Sequence, residues 1–94
     1  MTKIYKGDVG VEIRLDTGQN LIGATAMKIK VQKPDGTEAE WAALQHNSTT
    51  IYYVTSSGDL AASGDYVLQS YVEWGEDSKH TGESVILKIY EPFE

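Results

Sequence analysis

Two histidines and a scattered set of serines are the residues with the greatest capacity for catalysis. Histidine is the usual general base near neutral pH, but neither His46 nor His80 belongs to an HExxH or Cys/His spacing. The serines lack the GxSxG context of a nucleophile elbow. We therefore predict no catalytic residue and no enzymatic activity. The alternative is a small hydrolase in which one histidine, a serine and a carboxylate meet in space.

Oxygen ligands for a cation are concentrated in one loop. Asp16-Thr17-Gly18-Gln19-Asn20 offers carboxylate, hydroxyl and amide oxygens, but not in the order of an EF-hand. Turn formation explains these residues equally well. Glu38 and Glu40 form a carboxylate pair, although a glycosidase pair must face each other across a sugar cleft. We predict no metal and no cofactor, with weak calcium binding as the alternative.

Composition narrows the class of protein. The 94 residues contain 8 Lys+Arg and 14 Asp+Glu, for a net charge of −6. This length is typical of one domain, and the acidic balance opposes binding to nucleic-acid phosphates or anionic membrane. The absence of cysteine excludes disulfides and thiolate metal sites. The sequence has no apolar signal-peptide region. Because small secreted domains often carry disulfides, the lack of cysteine leads us to expect an intracellular protein.

The elements that must position any site are strands. The longest strand-like run extends from Gly64 to Trp74, and its side chains alternate between two faces. One face begins with Tyr66 and Leu68 and the other with Val67 and Gln69, which suits a strand with one face in a core and the other toward water.

Further alternating runs predict strands at residues 9–15, 27–32, 49–55 and 82–90, separated by turn residues. Thr37 to Leu44 contains good helix formers, yet it also alternates and is too short for a stable isolated helix. We predict a strand there, with a helix as the alternative. Six to seven short strands without a convincing helix favour an antiparallel two-sheet sandwich.

The register of the last hairpin follows from the alternation. If Glu76 and Asp77 form a two-residue loop, Leu68 lies opposite Val85 and inward residues meet inward residues along the pair. A loop one residue longer would exchange the faces. The pattern therefore predicts that Val85 lies in the core with Trp41 and Leu68.

The segment from Asp59 to Leu68 resembles the corner before strand F of immunoglobulin-like domains. The resemblance implies that the Tyr66 hydroxyl bonds to the backbone upstream, and that Leu68 stands where antibody domains have a cysteine. It also implies that Trp41 is the buried strand-C tryptophan, and Leu60 is expected to be a buried plug at the corner. The predicted fold is thus an all-β immunoglobulin-like antiparallel β-sandwich of six to seven strands, in a single domain over residues 1–94.

Several short motifs follow one another along the chain: Gly7-Asp8, Lys33-Pro34-Asp35-Gly36, Ile51-Tyr52-Tyr53-Val54-Thr55, Gly58-Asp59-Leu60 and Gly64-Asp65-Tyr66. Their order is similar to that in Ig-like modules of tailed-phage virion proteins, such as the N-terminal domain of baseplate upper proteins. In those relatives the domain is a structural or docking module without catalysis. The resemblance implies a phage or prophage protein that is present in the bacterial cytoplasm when expressed and in the virion after assembly.

An apolar sheet face is the remaining candidate site. If the strands around Tyr71 share one sheet, its outer face carries a set of aromatic and aliphatic residues: Leu44, Val67, Tyr71, Ile86 and Tyr90. Pooled residues of this kind predict a contact surface for self-association or for another protein. No nucleic acid or membrane partner is expected.

Two other interpretations of this face stay open. The residues are either scattered over the surface or covered by an N-terminal arm at Ile4-Tyr5. A rival class of protein is a small carbohydrate-binding module, in which exposed Tyr52, Tyr71 or Tyr90 would stack on sugars.

Overall fold

The computed structural model describes residues 3–94, which form nine β-strands and no helix. In chain order the strands are β1 Ile4–Tyr5, β2 Glu12–Asp16, β3 Ala26–Gln32, β4 Glu38–Ala42, β5 Leu44–Gln45, β6 Thr50–Val54, β7 Gly64–Glu73, β8 Lys79–Thr81 and β9 Val85–Tyr90. The all-β prediction is confirmed. The strand number is higher than expected because β1, β5 and β8 have only two or three residues and so show no alternation.

The strands form two sheets. A six-stranded sheet has the order β1-β9-β7-β3-β4, with β8 also paired to β7, and a three-stranded sheet has the order β2-β6-β5. All pairs are antiparallel except β1 with β9, which is parallel. The neighbours β9-β7-β3 and β2-β6-β5 match strands G-F-C and B-E-D of the immunoglobulin sandwich. The predicted sandwich is therefore confirmed, with one parallel pair as a departure.

The core lies between the two sheets and is centred on β7. Tyr66, Leu68, Ser70 and Val72 are buried, while the residues between them are only partly buried, as the alternation predicted. Trp41 and Leu60 are buried as well. These inward residues pack as one cluster with apolar side chains from the other strands: Ile13, Leu15, Leu21, Ile29, Val31, Ala43, Ile51 and Ile89.

The ambiguous segment from Thr37 to Leu44 is a strand and not a helix, since β4 covers Glu38–Ala42. The expected position of Trp41 is wrong, because Trp41 lies on β4 at the edge of the sheet. The strand-C position beside β7 belongs to β3. Trp41 is nevertheless buried because its ring stacks on Tyr53 of β6, with centroids 4.9 Å apart and planes inclined by 16°.

The predicted register of the last hairpin is confirmed, and the predicted loop is wrong. Leu68 pairs with Val85, yet Trp74 N–H donates to Ser78 O at 2.8 Å, which leaves Gly75, Glu76 and Asp77 in the loop. By itself, a three-residue loop would exchange the faces of the strand pair, but an extra residue farther along reverses this exchange. Three steps from Tyr71 to Leu68 on β7 face four steps from Thr81 to Val85. This extra residue is a bulge, and it restores the facing of inward residues.

Candidate interaction surfaces

The tyrosine corner has the expected geometry. The Tyr66 hydroxyl donates to Ala62 O at 2.8 Å and accepts from Ala62 N–H at 3.3 Å. Leu60 is buried beneath this loop, and its carbonyl accepts from Gly7 N–H at 2.8 Å. The corner therefore ties the loop before β7 to the N-terminal segment that crosses from one sheet to the other.

Four of the five predicted contact residues share the outer face of the six-stranded sheet. Val67 pairs directly with Ile86, and alternation places Tyr71 and Tyr90 on the same side. We call Val67, Tyr71, Ile86 and Tyr90 the outer face. The placement of Leu44 is wrong: it lies on β5 in the three-stranded sheet, opposite Tyr52.

The chain changes sheets immediately before Leu44. Ala43 N–H still donates to Met27 O of the larger sheet at 3.1 Å, whereas Leu44 already pairs with β6. Alternation within a sequence cannot register such a crossing, because the period of two continues through it.

Lysines surround the two tyrosines of the outer face. The Lys28 and Lys30 ammonium groups lie 5.1 and 4.5 Å from the Tyr71 ring centroid, within cation–π range. The Tyr71 hydroxyl donates to Glu73 Oε1 at 2.7 Å, and this hydrogen bond, with some burial, raises the pKa of Tyr71. The outer face is therefore a set of apolar positions surrounded by charged side chains.

The same arrangement recurs at Tyr90. The ammonium groups of Lys3 and Lys88 lie 4.7 and 4.9 Å from its ring centroid, and Tyr5 packs beside it at 6.2 Å. Lysines thus contact the rings of Tyr71 and Tyr90 where a sugar ring would have to stack. This contact weighs against the carbohydrate-binding interpretation for these two tyrosines.

The N-terminal strand extends the edge of the sheet and does not lie over the outer face. Tyr5 of β1 pairs with Tyr90 of β9 in parallel register. On the opposite side of β1, Tyr5 N–H donates to Asp8 Oδ2 at 2.9 Å and Tyr5 O accepts from Asp8 N–H at 3.0 Å. Asp8 therefore occupies hydrogen-bonding groups that would otherwise be open at this edge.

One flank of the sandwich is open, and Val85 marks it. Val85 faces inward beside Leu68, as predicted, but it is 48% exposed. The prediction that it lies in the core is therefore wrong. Ile89, on the same side of β9, is only 1% exposed. A cleft of about 440 Å³ borders Val85, lined by residues 16–19 and 80–83. We call Val85 and these two segments the open flank.

The groups considered for catalysis do not converge. His80 lies in the open flank with Asp16 and Glu83, where the hydroxyls belong to Thr17 and Thr81 and not to serine. His46 lies edge-on to the Tyr52 ring at 6.1 Å. Within residues 3–94, no three histidine, aspartate or glutamate side chains form a group that could hold a metal ion.

The predicted cation loop uses its oxygens to build turns. Asp16 Oδ1 accepts from Gly18 N–H at 2.9 Å, and Asn20 Oδ1 accepts from Ile22 N–H at 2.9 Å. The Thr17 hydroxyl donates to Thr49 O at 2.7 Å, which ties the loop to the residue before β6. These contacts correspond to the turn-forming alternative.

The strand order and the tyrosine corner together define a two-sheet β-sandwich with the order of an immunoglobulin domain. No protein-family model, curated protein or solved structure matches the chain. In the described part of the chain, no helix has the length and apolar character needed to cross a bilayer.

Proposed function

We propose that this chain is a non-enzymatic structural and protein-interaction module, encoded by a phage or prophage, that joins a tail or baseplate assembly through its outer face. The observation that supports this most directly is the exposure of Ile86. This residue is 65% exposed and lies next to Val67, the apolar residue with which it pairs on the neighbouring strand. The motif resemblance supports the virion setting.

The surroundings of this pair have the anatomy of a modest interface. A depression of about 390 Å³ lies beside Val67, bordered by Lys30, Gln69 and the β4 side chains Glu38 and Glu40. An apolar centre with a polar rim is typical of non-obligate protein contacts.

The proposal predicts association between copies, measured by light scattering over a concentration series up to the millimolar range. Tyr71→Glu combined with Ile86→Glu is expected to abolish association, because it places charge in the apolar centre. The matched control is Ile22→Glu, since Ile22 is an exposed aliphatic residue of the turn between β2 and β3 and does not belong to this sheet face. Circular dichroism checks that each variant is folded. A wild-type protein that stays monomeric throughout contradicts self-association.

The virion setting has a separate test in the genes beside the coding sequence. Neighbouring tail, head or lysis genes are expected. A neighbourhood of metabolic genes would argue against the virion assignment and would leave the contact surface to be judged by the scattering experiment.

A further inference from the structure

We infer that the open flank accepts one extended strand from another protein, which pairs with β2 and covers Val85 with aliphatic side chains. The inference rests on the interaction role proposed above, but it uses a different surface from the outer face. Three observations lead to it: an unpaired strand edge, an incompletely covered inward residue and a cleft between them.

The unpaired edge belongs to β2. Thr17 N–H donates to Thr49 O at 2.8 Å and Thr55 N–H donates to Val11 O at 3.0 Å, so the odd-numbered residues of this strand bond to β6. The backbone groups of Glu12, Arg14 and Asp16 therefore point the other way. Among residues 3–94, no strand lies on that side of β2.

The constant-type immunoglobulin sandwich fills this position. Strand A lies there beside strand B, and the two belong to one sheet. Here the first strand, β1, pairs instead with β9 of the opposite sheet. The place next to β2 is therefore vacant in the described part of the chain.

The inward surface beneath this vacant place is incompletely covered. Leu68, the partner of Val85 on β7, is fully buried, whereas Val85 keeps 48% of its surface exposed. Burial of an aliphatic side chain contributes roughly 1.5–3 kcal/mol when it is complete. The cleft of about 440 Å³ that borders Val85 gives an incoming side chain the space to cover it.

A second copy cannot supply the strand by pairing its own β2. β2 is the edge strand of the three-stranded sheet, and it packs against β7 of the six-stranded sheet. The strands that follow β7 in the larger sheet, β9 and β1, therefore extend beyond the edge of the smaller sheet. Symmetric pairing of two β2 strands would bring both extensions into one space. A single extended segment without a sheet behind it avoids this collision.

The exposed charges of β2 indicate which residue types the incoming strand should carry. Glu12, Arg14 and Asp16 are exposed on the solvent side of β2, where Arg14 Nε already donates to Glu12 Oε2 at 2.6 Å. An incoming strand would share this exposed ion pair, and opposite charges placed across a strand pair are favourable. The outward positions of the incoming strand are therefore basic, acidic and basic in turn. Asp16 and the exposed Glu83 also border the cleft and favour basic residues at its ends. The inward positions are small aliphatic residues that face Val85.

β4 shows why an unpaired edge alone is insufficient. Glu38, Glu40 and Ala42 also direct their backbone groups away from their neighbour, since Ala43 N–H donates to Met27 O and Lys33 N–H to Thr37 O. On that flank the inward residue Trp41 is already buried. An added strand would gain hydrogen bonds there but little apolar contact.

The test uses a synthetic peptide, Thr-Lys-Val-Glu-Val-Lys-Thr, titrated into isotope-labelled full-length protein and followed by NMR. We expect saturable shifts of the β2 amides and of the Val85 methyl groups. The control peptide carries proline in place of the central glutamate, which removes a strand N–H and is expected to abolish these shifts. Val85→Glu is expected to weaken peptide binding by about tenfold, whereas Ile22→Glu leaves it unchanged.

Three results would overturn the inference. One is the absence of shifts at millimolar peptide, another is equal binding of the proline peptide, and the third is shifts confined to the outer face. If the β2 amides shift with protein concentration in the absence of peptide, a second copy of the chain occupies this edge. That result would contradict the proposal that a segment of another protein binds there. The Tyr71→Glu/Ile86→Glu variant is expected to bind peptide like the wild type, so failure of the outer-face proposal can be told from failure of this one.

Discussion

The two flanks of the sandwich differ in how completely the small sheet covers the large one. At one flank Trp41 of β4 stacks on Tyr53 of β6 and is 4% exposed. We call this pair the closed flank. At the open flank Val85 of β9 is 48% exposed, and within residues 3–94 the smaller sheet ends at β2. Both residues occupy inward positions, so alternation decides which way a side chain points, and the opposite sheet decides whether it is buried.

The difference recurs along β9 itself. Ile89 pairs with Ile4 of β1 and is buried. Val85, four residues earlier, lies outside the part of β9 that pairs with β1. Burial along β9 is therefore complete only toward the end that carries the added strand.

The largest expected effect separates the two flanks directly. Trp41→Ala removes a buried aromatic ring and leaves Tyr53 without its stacking partner, so the free energy of unfolding should fall by roughly 3–5 kcal/mol. Val85→Ala should lower it by less than about 1 kcal/mol, because half of this side chain is already in water. Urea unfolding monitored by circular dichroism measures both. Equal losses would contradict the contrast between the flanks.

A second prediction concerns the bulge beside the open flank. A Cβ added at Gly82 would overlap the Ser70 hydroxyl, so Gly82→Ala should destabilise the protein by roughly 1–3 kcal/mol through overpacking. Removing the hydroxyl with Ser70→Ala should relieve most of this loss. A double-mutant cycle in urea measures the coupling. Additive effects would show that the two residues do not meet.

A third prediction tests the corner that ties the loop before β7 to the segment between β1 and β2. Tyr66→Phe removes the hydroxyl that bonds to Ala62 O and N–H, so the free energy of unfolding should fall by about 0.5–1.5 kcal/mol. The matched control is Tyr71→Phe, whose hydroxyl lies on the solvent side of the same strand. A larger loss for Tyr71→Phe would contradict the structural role of the corner.

The smallest effect is a pH dependence at the closed flank. Burial, and then the hydrogen bond that the Tyr53 hydroxyl donates to Asp59 Oδ2, raise the pKa of Tyr53 above its ordinary value of 10.0. The folded state therefore favours the neutral phenol. The resulting stability is fully present below pH 10 and is lost as the pH rises through the folded-state pKa.

Urea unfolding between pH 9 and pH 11.5 measures this slope. Tyr53→Phe should make the slope shallower, and Asp59→Asn should do the same to a smaller extent because it removes the acceptor charge. A slope that is unchanged in Tyr53→Phe would assign the alkaline loss to other groups.

The parts of the fold that were predictable from sequence depend on local pattern. The register of Leu68 with Val85 follows from alternation alone, and the Tyr66 corner follows from a short motif. The three-residue loop and the bulge were not predictable, because their effects on the register cancel. Together they leave the faces to which the β9 side chains point unchanged, so alternation in the sequence does not reveal them.

The candidate surfaces were less predictable because they depend on neighbours in space. Leu44 belongs to the other sheet, and the lysines that cover Tyr71 come from β3, a strand far away in sequence. Only the assembled sheet brings them together. The exposure of Val85 has the same origin, since the missing cover is a property of the opposite layer.

The parallel pairing of β1 with β9 has a mechanical consequence. Because the two strands run in the same direction, tension applied between the start of β1 and the end of β9 pulls them past each other, and their hydrogen bonds resist together. If the edge pair were antiparallel, the same tension would load the hydrogen bonds one after another, and each would break separately. Two residue pairs, Ile4 with Ile89 and Tyr5 with Tyr90, join these strands, so pulling experiments on single molecules should show one early, small rupture.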